Sequence, residues 1–364
     1  MAGLSCGIVG LPNVGKSTLF NALTRIAAAA ANYPFCTIDP NVGIVDVYDP
    51  RLEVLSKLSK SKKIIPATIT FVDIAGLVAG ASQGEGLGNQ FLANIRETDA
   101  IIHVVRCFED SDVIHVAGKV DPIADIEVIN LELILSDLQM IDNISKKLEK
   151  QVKGKKELVP ILETLQKAAV HLNQNKPLRS LSLNDEQKGY LAAYPFLTDK
   201  KVVYACNVSE NSLPSMENAY VQIVREYAAK EGNTIVPICA KLEQELTQLN
   251  ETEALEFLQT AGIPQSGLNR LIKTAFETLD LISFLTTGEM ETRAWTIKKG
   301  TPAQEAAGKI HTDIQKGFIR AEVVAYDDMI AFNGRNGAKE AGRARSEGKE
   351  YIVKDGDVIL FFHN

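Results

Sequence analysis

Apolar residues fall into three successive patterns along this chain. In the first, compact apolar runs alternate with longer mixed stretches: Leu4 to Val9, Ala67 to Asp73, Ala100 to Arg106, Lys201 to Asn207 and Thr234 to Cys239 read as buried strands. Short runs of this kind, separated by long connections, predict a mainly parallel sheet covered by helices on both faces. Ligands of such sheets bind outside the carboxyl ends of the strands. Gly10, Asp73 and Asn207 stand at or just past three of those ends, so one crevice would collect them.

The second pattern interrupts the first between about Asp125 and Tyr194. Leu131, Ile134, Leu138, Ile141, Leu148 and Val152 recur at alternating spacings of three and four, with Ser145 in the missing place. Leu158, Leu162, Leu165, Ala169 and Leu172 repeat the spacing after a turn around Lys153 to Lys156. This predicts an antiparallel helical hairpin inserted into the sheet domain. From Lys146 to Lys167 there are seven lysines against three glutamates, so its tip is locally basic; a solvated helix face or a contact to RNA or an acidic partner would each account for that.

The third pattern follows the helical stretch Leu268 to Leu279. Arg293 to Ile297 and Ile319 to Val324 read as strands, Pro302 to Ile310 as a helix with Thr301 as N-cap, and Lys354 to Phe362 as a turn and closing strand. Asn333 to Gly348, rich in glycine and arginine, reads as a loop. The predicted organisation is a nucleotide-type α/β domain over 1–124 and 196–280, a helical insertion over 125–195, and a small α+β module over 281–364.

Composition narrows the class without naming it. A chain of 364 residues points to two or three domains, and 45% hydrophobic with 23% charged residues is ordinary for a globular protein. No apolar stretch approaches the roughly 20 residues of a membrane span, and no basic segment with a following apolar core opens the chain, so a cytoplasmic, non-membrane protein is expected. Cys6, Cys36, Cys107, Cys206 and Cys239 form no C-x-x-C pair, which predicts reduced, buried thiols. The net charge of −7 disfavours indiscriminate nucleic-acid binding.

Chemistry enters with Gly10-Leu-Pro-Asn-Val-Gly-Lys-Ser-Thr18, a complete G-x-x-x-x-G-K-[ST] loop directly after the first strand. Glycines let successive main-chain N–H groups wrap a polyphosphate, and the helix opening near Lys16 aims its positive end at it. Asn13, Val14, Gly15, Lys16, Ser17 and Thr18 are therefore the expected phosphate contacts. Lys16 would reach the β- and γ-phosphates, and the Ser17 hydroxyl would take Mg²⁺.

A second motif separates switches from other phosphate-loop enzymes. Asp73-Ile-Ala-Gly76 ends a strand, where the aspartate can hold Mg²⁺ and the Gly76 N–H can meet a γ-phosphate. Four glycines in Gly80 to Gly88 suit a loop ordered by γ-phosphate and released on hydrolysis. Thr37, twenty residues past Ser17, is a candidate second Mg²⁺ ligand.

These segments, with Phe35-Cys-Thr-Ile-Asp-Pro40, Phe71 to Leu77, Gly84 to Phe91 and Ala306-Ala-Gly-Lys-Ile-His311, resemble the Obg-like ATPases and most closely their YchF subfamily, over essentially the whole chain. The resemblance implies a P-loop NTPase domain, a helical coiled-coil insertion and a C-terminal ubiquitin-like TGS module. It further implies a translation-linked NTPase that associates with the ribosome, through its large subunit and through RNA contacts of the hairpin and TGS module.

Base choice can be argued from residues. Guanine-reading relatives carry Asn-Lys-x-Asp, whose aspartate accepts two hydrogen bonds from the base; here the strand ends Asn207-Val-Ser-Glu210. With Val208 for lysine and the longer Glu210 for aspartate, guanine selectivity should weaken, since unpaired polar groups in such sites are worth factors of roughly 10⁴ in discrimination. The resemblance adds a preference for ATP, with Asn207 and the main chain around Val208 reading the base, and it matches Cys239-Ala240-Lys241 to a further base-contacting loop.

Leu77 stands where switch GTPases often place a water-orienting glutamine, so unaided hydrolysis should be slow or depend on another group, an ion or a partner. The resemblance supplies two such aids, His115 as a catalytic histidine and Asn13 as a ligand of K⁺. Two further readings stay open, a GTPase and an RNA- or ribosome-binding protein whose hydrolysis is incidental. A metabolic kinase is disfavoured by Asp73-x-x-Gly76 and by the Asn207 segment.

Overall fold

The computed structural model describes residues 4–30, 41–75, 87–110 and 119–364, which divide into two compact units, Met1–Gly43 with Thr70–Ala275 and Ile44–Ile69 with Phe276–Asn364. The strands are β1 Ser5–Val9, β2 Val42–Val47, β3 Ile64–Ile65, β4 Ala67–Asp73, β5 Ala100–Arg106, β6 Lys201–Asn207, β7 Thr234–Ile238, β8 Leu281–Thr287, β9 Thr292–Lys298, β10 Phe318–Ala325, β11 Arg345–Glu347 and β12 Asp357–His363.

The first sheet has the order β2-β4-β1-β5-β6-β7, and β4-β1-β5-β6-β7 pair in parallel throughout. Its central strands are apolar because helices cover both faces; β5 is buried at every position. Parallel pairing in register, from Ala100 opposite Lys201 to Arg106 opposite Asn207, brings the strand ends level. Helix Lys16–Ala30 buries Leu19, Phe20 and Leu23 and lies beside helix Ala240–Leu246.

The inserted hairpin consists of helices Pro122–Val152 and Val159–Leu172. Asp121 caps the first through the Ala124 N–H, and Pro122 takes the first-turn place where no N–H is needed. Ile134, Ile141, Leu148, Leu165, Ala168 and Leu172 form its seam. Leu131, expected in that seam, is instead 43% exposed at the root of the hairpin. The root is held by polar groups: the fully buried Asp137 carboxylate accepts from the N–H groups of Leu197 and Thr198 at 2.9 and 2.8 Å, and from Thr198 Oγ1 at 2.7 Å. Arg179 pairs with Glu231 at 3.2 Å and donates to Asn130 Oδ1 at 2.9 Å.

The second unit is a sheet of order β11-β10-β12-β8-β9-β3 in which β12 runs parallel to β8 between antiparallel neighbours, the ubiquitin-like arrangement. Helix Ala303–Ile310 packs its alanines on Phe284, Ile297, Val323, Ile359 and Phe361. Residues 44–69, placed by sequence with the nucleotide domain, group with this unit, because helix Pro50–Ser59 packs on β8 and β9 and Ile64–Ile65 extends β9. Arg51 is held there by Asp49 at 2.7 Å and Asp355 at 2.8 Å.

Two local expectations are corrected. The residue capping helix Ala303–Ile310 is Pro302, and Thr301 Oγ1 donates backward to Lys298 O at 2.6 Å. The stretch from Asn333 to Gly348 is not one loop; it holds helix Arg335–Glu340 and β11, pinned by Arg335 donating to Glu322 Oε1 at 3.2 Å. Cys6, Cys107, Cys206 and Cys239 are free and buried, and Cys36 lies outside the described residues.

Candidate functional site

The carboxyl ends of the first sheet's strands open into a cleft of about 650 Å³ within the first unit. Gly10 to Thr18 forms its floor, apart from Val14, whose side chain turns into the core. Asn13 adopts φ 64°, a left-handed conformation that asparagine tolerates, and Gly15 adopts φ 94°. At Gly15 a Cβ would lie 2.2 Å from Asn207 Nδ2, so the close approach of loop and strand end requires glycine there. Leu19 N–H donates to Gly15 O at 3.0 Å, starting the helix whose first turn carries Lys16, Ser17 and Thr18 into the cleft.

Lys16 Nζ donates to Asp73 Oδ1 at 2.5 Å. Sequence places these residues 57 apart, and the β1–β4 pairing makes them neighbours. A polyphosphate would give the ammonium new partners, releasing the carboxylate toward a divalent cation or its waters. Ser17 is exposed beside Lys16. Ser17 and Asp73 are hard oxygen donors but only two of the six that Mg²⁺ requires, and among the described residues no cluster of three acidic, cysteine or histidine side chains could hold a metal alone. The donor set therefore fits Mg²⁺ that arrives with phosphate oxygens and waters.

Asn207 joins the floor to the far wall. Its Nδ2 donates to Val14 O at 2.9 Å and its Oδ1 accepts the Ala240 N–H at 3.0 Å, so the buried amide is spent partly on holding two loops together. Val208 N–H is likewise donated to Ile238 O at 2.8 Å. Glu210, exposed at the rim, receives Lys241 Nζ on Oε2 at 2.6 Å. This partner raises the Lys241 pKa above its ordinary value.

Sequence reasoning missed the third wall. Phe108 and Asp110 line the cleft, and Arg106, 1% exposed, shapes their loop from beneath. Its Nε donates to Phe108 O at 3.1 Å, and its guanidinium stands 4.6 Å from the centre of the Phe108 ring. An arginine closing an apolar strand is the one hint the sequence carried. His103, in the same strand, does not line the cleft; burial lowers its pKa to about 3 and keeps it neutral.

The structure thus gathers Asn13, Gly15, Lys16, Ser17, Thr18, Asn207, Val208 and Glu210 around one cleft, with Val14 behind it and Asp73 bound to Lys16. Thr37, Gly76 and His115 lie outside the described residues.

A family model described as a 50S ribosome-binding GTPase matches residues 5–163, and one for a YchF GTPase C-terminal domain, described as a protein of unknown function, matches residues 281–364. The ribosome-binding ATPase YchF of Haemophilus influenzae is 54% identical over 363 residues, covering 100% of this chain and 99% of the relative. Its namesake in Bacillus subtilis is 52% identical, covering 99% of each. The solved structure of the Schizosaccharomyces pombe YchF GTPase is 37% identical and superposes with a TM-score of 0.89, over 100% of this chain and 99% of that one. Sharing its fold with the yeast structure and more than half its residues with the bacterial relatives along its full length, this chain belongs to the YchF family of phosphate-loop nucleoside triphosphatases.

Proposed function

We propose that this chain is a ribosome-associated ATPase working as a nucleotide switch, with ATP preferred to GTP and hydrolysed slowly until the large ribosomal subunit accelerates it. The observation that carries the reading is the Lys16–Asp73 contact beneath a cleft whose base end is Asn207-Val-Ser-Glu210. Lys16 neutralises phosphate charge as the γ-phosphoryl group leaves, and the main-chain N–H groups from Asn13 to Thr18 cradle the chain of phosphates. Ser17, Asp73 and Thr37 would hold Mg²⁺, which would supply charge neutralisation to the phosphates. Gly76 offers its N–H to the γ-phosphate, and His115 is the proposed catalytic partner of Lys16. Asn13, which lines the cleft floor with φ 64°, is the proposed K⁺ ligand.

Adenine follows from the base end. Val208 replaces the lysine that stacks on guanine, and Asn207 contributes mainly by fixing the walls, leaving the main chain beyond Val208 N–H to read the base. The names of relatives differ on this point, ATPase for the bacterial proteins and GTPase for the yeast one. Ribosome association rests on those names, on the family description, and on the basic hairpin tip from Lys146 to Lys156, which suits RNA phosphates, with the TGS module as second contact. No described helix is long and apolar enough to cross a membrane, and the proposed ribosome partner would have the protein work in the cytoplasm.

Equilibrium titration with ATP and GTP, each with Mg²⁺, tests the assignment. ATP should bind at least about tenfold tighter. Tighter GTP binding overturns it, and equal turnover in K⁺ and Na⁺ at matched ionic strength removes K⁺.

A further inference from the structure

Two charged side chains meet at the rim of the base end, from segments far apart in sequence. Glu210 follows Ser209 at the start of a short 3-10 turn, where Ser212 N–H donates to Ser209 O at 3.0 Å and Leu213 N–H to Glu210 O at 3.1 Å. Lys241 follows Ala240, whose N–H is held by Asn207 Oδ1 at 3.0 Å. The buried Asn207 therefore positions both segments, and Lys241 Nζ lies 2.6 Å from Glu210 Oε2 with both side chains lining the cleft. The side chains are 66% and 44% exposed, so the pair is open to water on one side and would be covered by a base entering the cleft.

The chemistry of that pair differs from that of either member. An ionised carboxylate only accepts hydrogen bonds. Facing a purine it suits guanine, which presents two adjacent donors, and it repels adenine, which presents a donor beside the lone pair of its ring nitrogen. An ammonium on one carboxylate oxygen changes the display, leaving one oxygen to accept while adding N–H groups that donate. One donor beside one acceptor matches adenine's edge.

We propose that Lys241 is the specificity-determining residue of the base site, converting Glu210 from a guanine-favouring acceptor into a donor–acceptor pair that admits adenine. The inference deepens the adenine reading above and rests on it. Lys241 acts here through its side chain, whereas the fixed Ala240 N–H serves the architecture alone.

The test is a double-mutant cycle read as the ratio of ATP to GTP affinity, from equilibrium titrations of the full chain with Mg²⁺. Lys241→Met should lower that ratio by about tenfold, with GTP binding tighter and ATP weaker than in the parent, the scale on which one good base-edge contact discriminates. Lys241→Arg, which keeps a donor on Glu210, should hold the ratio within about threefold. In a Glu210→Gln background, Lys241→Met should leave the ratio unchanged. The proposal is overturned if Lys241→Met weakens both nucleotides equally, or if its effect persists without the Glu210 carboxylate. A parent that prefers GTP would defeat the adenine reading by itself, while the cycle still reports whether the two residues act as a unit.

Discussion

Lys16→Ala is expected to cut ATP turnover by about 10³-fold or more, the scale on which a positioned cation stabilises phosphoryl transfer. Among the described residues lining the cleft, Lys16 and Lys241 are the two cations, and only Lys16 rises from the phosphate-wrapping loop. Its loss leaves Asp73 without its partner, but that carboxylate is 22% exposed and keeps access to water, so the fold should survive. Single-turnover hydrolysis with a parallel thermal melt checks both halves. A variant that melts normally and hydrolyses at the parental rate would show that the cleft is not where the chemistry occurs.

Gly15→Ala should be nearly as damaging to nucleotide binding, for a different reason. The new Cβ would sit 2.2 Å from Asn207 Nδ2 on a backbone at φ 94°. Either the loop leaves its left-handed conformation or Asn207 gives up its bonds to Val14 O and Ala240 N–H. Both routes open the cleft. Strain plus an unsatisfied buried amide should cost about 2 kcal/mol or more in stability, and ATP affinity should fall by about 100-fold as the phosphate cradle loses its shape. Gly189→Ala is the control, because nothing lies within 4 Å of a Cβ there and its helix, Asp185–Ala192, should gain slightly from alanine. Chemical denaturation and ATP titration of the two variants separate a local clash from a general intolerance of substitution. Parental ATP affinity in Gly15→Ala would contradict the packing described here.

What could be read from sequence follows the range of the forces involved. Strand β5 is buried at every position, and β1, β4, β6 and β7 each carry a mainly apolar, largely buried run, a pattern that needs no knowledge of partners. The phosphate loop is legible because its geometry depends on residues a few places apart. By contrast β2, with its partly exposed Val-Gly-Ile-Val-Asp-Val, presents a weak alternation, and β8 merges with the helix before it. The helix Arg335–Glu340 hides in a glycine- and arginine-rich stretch because its stability comes from a distant anchor, the Arg335–Glu322 pair. Residues 44–69 change company for the same reason, since Arg51 finds Asp355 only in the folded chain.

The same divide runs through the site. Lys16, Ser17 and Asp73 were recognisable by type and spacing. That Asn207 spends its amide on Val14 and Ala240, that Lys241 reaches Glu210, and that Arg106 props Phe108 into the third wall are consequences of level strand ends. No local pattern encodes them. Asn207 was expected to read a base; its position makes it first a tie between the two loops that such a base would lie against.

The central claim is that the nucleotide in this cleft governs attachment to a partner. The most direct measurement is co-sedimentation of the full chain with large ribosomal subunits, in a non-hydrolysable ATP analogue, in ADP and without nucleotide. A switch predicts affinities differing by about tenfold or more between the analogue and ADP, within the usual range of coupling between two sites, and the loss of that difference in Lys16→Ala. Equal attachment in all three conditions, unchanged by Lys16→Ala, would contradict the account and leave a ribosome-binding protein whose hydrolysis is incidental.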